Sequence, residues 1–351
     1  MPLALITGST GLVGSETSFF LLNKGFEVIG IDNDERKRLF GNDSSTLKIK
    51  KKLISHSNSY KHFNMDIRDK SSLEKIFKKN KNRISFILHA AAQPSHDWAK
   101  LNIRKDFEIN AIGTLNILEL TRLYNPEARF IFTSTNKVYG DNPNRIKFIE
   151  KKMRWEVSKN SPYNMGINEN FSVDNCTHSF FGVSKTYADF LAQEYKNNFG
   201  MNVACFRAGC ITGPNHSGAQ LHGFLSYLVK SAIKNKSYNL IGYKGKQVRD
   251  NIHSSDLTNA FWFYYNKPVK ESLFNIGGGR FSNCSILEAI SYIEKKLNFR
   301  IKKKVFKNPR VGDHQWYISD ITKFKKNYPK YKLKYNLFKI LDELIEFELS
   351  L

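Results

Sequence analysis

Gly8, Gly11 and Gly14 stand at three-residue spacing directly after the apolar run Leu3–Thr7 and before a helical pattern over Ser15–Asn23. A glycine-rich turn from strand to helix aims free backbone N–H groups and the positive end of a helix dipole at an anion. The missing side chains let a diphosphate approach the backbone, so Gly8, Thr10, Gly11, Leu12, Val13 and Gly14 are candidate cofactor contacts. Gly25 stops the helix, and Phe26–Asp32 reads as a second strand ending in an acid, 18 residues after Gly14. That is where an acceptor for a ribose 2′-OH is expected; an acid there repels a 2′-phosphate and favours NAD over NADP.

Further along, three groups carry polar chemistry. Gln93-Pro-Ser-His-Asp-Trp98 is read as a loop in which His96 and Asp97 are candidates for substrate contact or proton transfer. Thr133-Ser-Thr-Asn-Lys-Val-Tyr-Gly140 puts hydroxyls at the end of an apolar strand. Ser179-Phe-Phe-Gly-Val-Ser-Lys185 opens a helix reaching to about Phe199.

The elements that must hold these groups alternate between strand and helix. Strands are expected over Tyr60–Met65, Ile84–Leu88, Arg129–Phe132 and Val203–Arg207, with helices over Leu47–Ile54 and Asp106–Tyr124. The pattern predicts an α/β fold, a Rossmann-type doubly wound parallel sheet with a smaller C-terminal substrate domain. The expected division is 1–204 and 205–351, with segments near 248–262 returning to the first domain. Asp66 follows the third strand and either accepts from an adenine or caps the next helix. His89-Ala90-Ala91-Ala92 offers small residues against which a diphosphate and ribose would pack. The Asp106–Tyr124 helix carries one apolar stripe of Phe107, Ala111, Leu115 and Leu118 and another of Ile109, Ile112, Leu120 and Leu123. A helix apolar on two sides is covered on two sides, by the sheet and by a second subunit. Tyr335–Leu351 reads as an amphipathic packing helix.

At 351 residues the chain is long enough for two joined domains. It carries 55 basic and 32 acidic residues, a formal net charge of +23. The excess is scattered lysine, without zinc-finger spacing, an RNP motif or a dense basic arm, so no nucleic-acid partner is expected. Cys176, Cys205, Cys210 and Cys284 form no metal or Cys-x-x-Cys spacing, which fits reduced thiols in a cytoplasmic protein. No run of about 18 apolar residues points to a membrane span.

Thr7-Gly-Ser-Thr-Gly-Leu-Val-Gly14, Thr135 within Ser-Thr-Asn-Lys-Val-Tyr-Gly, and Lys185 resemble the extended short-chain dehydrogenase/reductases that act on nucleotide sugars. Asp106-Phe-Glu-Ile-Asn110, Gly245-Lys-Gln-Val-Arg-Asp250 and Phe274-Asn-Ile-Gly-Gly-Gly279 look most like the CDP-paratose (tyvelose) 2-epimerase group. The resemblance covers essentially the whole chain. It implies NAD-dependent epimerisation of a nucleotide-linked sugar for surface polysaccharide, by transient oxidation to a ketone and re-reduction, in a homodimer or higher homo-oligomer. A nucleotide-sugar 4-epimerase or dehydratase shares the same motifs. It implies further cofactor contacts at Asp32, Asn33, Asp66, Ile67, Ala90, Ala91, Ala92, Asn110, Thr133, Lys185 and Arg207. Substrate contacts are implied at Gln93, Ser95, Asn136, Asn215, Arg249 and Arg310, with both arginines on the nucleotide of a CDP-sugar. Thr212–Gln220 and a helix over Leu221–Lys234 are implied to close on that nucleotide, and Asn275 to make a structural turn.

In such enzymes a tyrosine four residues before the lysine takes the hydroxyl proton, and a Ser or Thr orients the same oxygen. Here Thr135 and Lys185 match, but Phe181 stands at the tyrosine position. Three readings follow. Another group takes the proton, among His178, Cys176, Tyr163, His96 and Asp97; or Lys185 does so; or the chain only binds.

Overall fold

The computed structural model describes residues 1–216 and 223–351. They fall into two compact units, Met1–Val138 with Phe180–Arg207 and Thr258–Phe274, and Tyr139–Ser179 with Ala208–Leu257 and Asn275–Leu351.

The first unit is built on strands β1 (Leu3–Thr7), β2 (Glu27–Ile31), β3 (Tyr60–Phe63), β4 (Ile84–His89), β5 (Arg129–Thr135), β6 (Val203–Ala208) and β7 (Leu273–Ile276). Among the described residues they make one seven-stranded sheet in the order β7-β6-β5-β4-β1-β2-β3. Pairing is parallel from β3 through β2, β1 and β4 to β5. Every residue of β1 is buried, as a strand covered on both faces requires, so its sequence is an uninterrupted apolar run rather than an alternation. Helices α1 (Leu12–Asn23), α2 (Leu47–His56), α3 (Lys70–Lys79), α4 (His96–Leu101), α5 (Ile103–Phe107), α6 (Gly113–Tyr124) and α7 (Phe180–Phe199) accompany the sheet. The core joins Leu5, Ile29 and Ile87 of the sheet to Leu73, Phe77, Ile117 and Ala188 of the helices. The doubly wound α/β expectation is met.

Several local differences have physical causes. The loop expected over Gln93–Trp98 instead contains α4, because Ser95 caps it by accepting from the Trp98 N–H. The helix expected over Asp106–Tyr124 is interrupted by a π-helical turn, Glu108–Ile112, between α5 and α6. The wider turn shifts the phase of the apolar face, so neither stripe stays on one side. Ile109, Ala111, Leu118 and Leu120 are buried, whereas Phe107, Ile112 and Leu123 are exposed. Asp69, not Asp66, caps the helix after β3.

The units also divide differently from a cut after residue 204. Residues 139–179 belong to the second unit, and the segment rejoining the first is Thr258–Phe274, which overlaps the expected 248–262 at 258–262. That segment has an apolar reason to be there: Phe261 lies 5.0 Å from Phe206, and Trp262 lies 6.0 Å from Phe26, between ring centroids.

The second unit holds a mixed sheet in which Val248–His253 pairs with Asn283–Ser285, Trp316–Tyr317 and Cys210–Thr212. Tyr238–Ile241 pairs in parallel with Lys303–Phe306. Its core packs Leu225, Leu228 and Val229 of the helix Phe224–Ile233 with Ile290 and Ile293. Ile340, Leu341, Leu344 and Ile345 of the terminal helix Leu337–Leu349 join that core, giving the amphipathic C-terminus its packing role. Asn275 is structural, as expected: it donates to Ile167 O and accepts from the Tyr139 hydroxyl, both at 2.8 Å. None of the four cysteines is joined in a disulfide. No helix among the described residues is long and apolar enough to cross a membrane.

Candidate active site

In the first unit, Gly8 closes β1 with φ +67° and donates to Ile31 O on β2. A Cβ on Gly8 would stand 2.7 Å from Ala91 N, and one on Gly14 would stand 2.0 Å from Gly8 O. Those two positions accept only glycine because backbone passes against backbone. Gly11 is the N-cap of α1, which has no side-chain cap and no acid in its first turn. Its N–H groups are left for an anion.

Asp32, just past β2, accepts from Thr10 N–H at 3.0 Å and Asp34 N–H at 2.8 Å. The glycine turn and the acid are thereby fixed to each other. An uncapped helix start beside an anchored carboxylate fits a dinucleotide, whose diphosphate the helix would hold and whose adenosine ribose Asp32 would accept from.

Asn33 donates to Asp66, which Arg68 grips with two nitrogens at 3.0 and 2.7 Å. Burial raises the Asp66 pKa, but the hydrogen bonds and charge of Arg68 outweigh it and hold the carboxyl below its usual range. Ile67 is buried, and Gly113 leaves room for its side chain. Ala90 and Ala91 follow β4, their N–H groups donating to Thr7 O and Oγ1; Ala92 is half-buried beside them.

On β5, Thr133 donates to His89 O at 2.8 Å. The Thr133 carbonyl accepts from Lys185 Nζ on α7, also at 2.8 Å. Lys185 is buried. Burial pulls its pKa from the ordinary 10.5 to about 8, against the opposing charges of Asp189 and Asp106. Thr135 is half-buried and its hydroxyl accepts from Lys137 N–H at 3.3 Å. Asn136 is buried in the turn that follows. Phe181 is buried one helical turn before Lys185. The His96 ring lies 4.9 Å from it, centroid to centroid. Asp97 is half-buried in the first turn of α4.

Four residues expected to meet ligands are engaged inside the chain. Gln93 donates to Asp106 and to Ser95 O, while its carbonyl oxygen accepts from Ser95 N–H. Both Gln93 and Ser95 are fully buried, so they shape the loop rather than present a surface. Arg207 forms a fork with Asp189 at 3.1 and 2.7 Å, with 3% and 0% of the two side chains exposed. Such a pair is structural, because both charges are already satisfied. Asn110 donates to Asp106, Gln93 O and the Ser184 hydroxyl.

His89, at the end of an apolar strand, gives no signal of its polar role in the sequence. It bonds Thr7 at 2.7 Å through one ring nitrogen and Thr114 at 2.9 Å through the other. Burial, with the charge of Lys185, pushes its pKa down to about 3. It therefore stays neutral. Asp106, Asn110 and Ser184 bond one another, and the Asp-x-x-x-Asn spacing of the first two is readable in the sequence.

In the second unit, a cavity is lined by Tyr227, Tyr238, Asn239, Gln247, Arg249 and Arg310, among others. Arg249 also pairs with Asp313 at 2.5 Å. Guanidiniums beside aromatic and amide side chains suit the phosphates and base of a nucleotide. Tyr227, Tyr238, Asn239 and Gln247 come from separate elements, and no spacing in the sequence groups them. Asn215 is half-buried after the strand Cys210–Thr212; residues 217–222 of the expected closing segment lie outside the described residues. A helix is described over Phe224–Ile233. His178, also in this unit, lies 3.6 Å from Cys176 Sγ through Nδ1.

Comparison with known proteins matches residues 4–277 to the NAD dependent epimerase/dehydratase family. The chain is 31% identical to CDP-paratose 2-epimerase from Salmonella typhi over 91% of each protein. It is 27% identical to a putative UDP-glucose 4-epimerase from Methanocaldococcus jannaschii, covering 91% of this chain and 90% of that protein. Among solved structures, UDP-glucose 4-epimerase from Bifidobacterium longum, in complex with NAD+ and UDP, superimposes with a TM-score of 0.79 at 21% identity, covering 99% and 98% of the two chains.

Proposed function

Because the chain belongs to the NAD dependent epimerase/dehydratase family, we propose that it is an NAD-dependent nucleotide-sugar epimerase acting at C2 of a CDP-linked deoxyhexose. The observation that carries the reading is Lys185, a buried cation of depressed pKa tied to the strand that ends in Thr135. The likeness to the Salmonella typhi enzyme supports a CDP-sugar, and the Arg249 and Arg310 cavity supports a nucleotide diphosphate.

NAD, when bound, supplies a hydride acceptor that returns the hydride within the same site. The residues of this chain do the rest. The α1 N-terminus binds the diphosphate and Asp32 the ribose, with Asn33, Asp66, Ile67 and the Ala90–Ala92 segment around the adenosine. Thr135 orients the sugar hydroxyl through a hydrogen bond. The Lys185 charge favours the anionic form of that oxygen as the proton leaves.

A second copy of the chain is the proposed partner. Phe107, Ile112 and Leu123 leave one side of the α5–α6 run apolar and exposed, and Val183, Tyr187 and Phe190 do the same on α7. Two such helices from each copy would bury these residues together. Phe181 favours one further reading, a nucleotide-sugar-binding protein without turnover.

A thermal-shift panel of CDP-, GDP-, UDP- and dTDP-sugars on NAD-loaded protein tests the assignment. The expected result is the largest stabilisation by a CDP-deoxyhexose and a product of unchanged mass inverted at C2. A shift without product would establish the binding reading. A product lighter by one water would establish a dehydratase.

A further inference from the structure

Drawing a hydride from a sugar carbinol leaves a proton to be taken from its hydroxyl, and the Phe181 ring has none to exchange. Several titratable groups gathered about Lys185 hold the fold together. His89 is hydrogen-bonded through both ring nitrogens. Asp106 accepts from Gln93, Asn110 and Ser184. Asp189 holds Arg207 and accepts from the Ser134 hydroxyl. Lys185 donates to the Thr133 carbonyl.

His96 differs from these in its placement. It is half-buried on α4, which packs against α7 and α5. Its ring meets Phe181 at 4.9 Å with the two planes inclined by 56°. The backbone below it is fixed, since Ser95 caps α4 and Gln93 ties the preceding loop to Asp106 and Asn110. An imidazole is therefore held against the ring that stands at the tyrosine position.

We infer that His96 is the proton acceptor, its imidazole resting on the Phe181 ring as an apolar platform; this rests on the function proposed above. In the oxidation the O–H bond breaks and its proton passes to an imidazole nitrogen. The electron pair left on oxygen completes the C=O as the carbon's hydride is taken up by the oxidised nicotinamide. In the return half the imidazolium gives the proton back to the oxygen as the hydride re-enters on the opposite face of the carbon. Phenylalanine at 181 then has a reason: it orients the imidazole and offers no competing hydroxyl.

The test compares native protein with His96→Ala, His178→Ala and the double variant His96→Ala/Phe181→Tyr. His96→Ala is expected to keep its bound NAD and its thermal shift with the nucleotide sugar while losing turnover by roughly 10²–10⁴-fold. Restoring a phenol in the double variant is expected to recover at least about tenfold of that loss. Labelling of native protein with diethylpyrocarbonate, read by mass spectrometry, gives a measure independent of turnover: nucleotide sugar with NAD slows modification of His96 but not of the exposed His56. His96→Ala turnover within about fivefold of native, a large loss in His178→Ala alone, or equal labelling of His96 with and without ligand would overturn the inference while leaving the epimerase reading standing. Native protein that neither holds NAD nor responds to any nucleotide sugar would overturn both.

Discussion

Lys185 Nζ donates to the carbonyl oxygen of Thr133 at 2.8 Å, joining the buried face of α7 to the end of β5. The bond fixes a cation where water is excluded, and burial drops its pKa to about 8. Between pH 8 and 10.5 the unfolded chain holds a proton that the folded protein has released, so stability rises with pH across that window. The rise is about 1.4 kcal/mol per pH unit and about 3 kcal/mol in all. Below pH 8 that contribution is absent. Urea unfolding of native protein and Lys185→Met from pH 7 to 10.5 is expected to show this rise only in the native chain. Lys185→Met is also expected to lose turnover.

The Arg207–Asp189 fork gives a prediction that separates structure from cofactor binding. Removing one member leaves the other charge buried and alone, at a cost of about 3–5 kcal/mol. Asp189→Asn is expected to lower the denaturant midpoint accordingly. NAD affinity, measured on the fraction still folded, should stay near native. A selective loss of NAD with unchanged stability would return Arg207 to the cofactor.

At the opening turn, Gly14→Ala would press a methyl group to within 2.0 Å of Gly8 O. Relief requires the backbone to move, an overpacking cost of about 1–3 kcal/mol. The purified variant is expected to carry little NAD, scored by absorbance after denaturation. Gly11→Ala is the control, because its nearest neighbour is 3.4 Å away, and it should retain more.

Arg249→Met and Arg310→Met are expected to weaken nucleotide-sugar binding by about tenfold to about a hundredfold each, the loss of a charged hydrogen bond. Calorimetry with a CDP-sugar measures this, and NAD content should not change. Arg249→Met also removes the ion pair with Asp313, so its thermal midpoint should fall as well.

Much of the first unit is legible in the sequence, and the reason is local. β1 is an unbroken buried run because both faces are covered, and the glycines follow because backbone passes backbone there. Asp32 can be found by counting from them. The chemistry further along is less legible, since a polar residue in a loop reads alike whether it faces a ligand or its own backbone. Gln93 and Ser95 turned inward, and Arg207 found Asp189 eighteen positions away on another element. The second-unit cavity draws on Tyr227, Tyr238 and Gln247, which only tertiary folding brings together.

The π-helical turn Glu108–Ile112 sets two demands against each other. Deleting one residue there would restore ordinary winding, yet it would rotate α5 by about 100° relative to α6. Asn110 would then swing away from Gln93 and Ser184, to which it is now bonded. A shorter chain would make the better rod and the worse brace, so irregular coiling at this point is the condition for holding the loop that leads into His96.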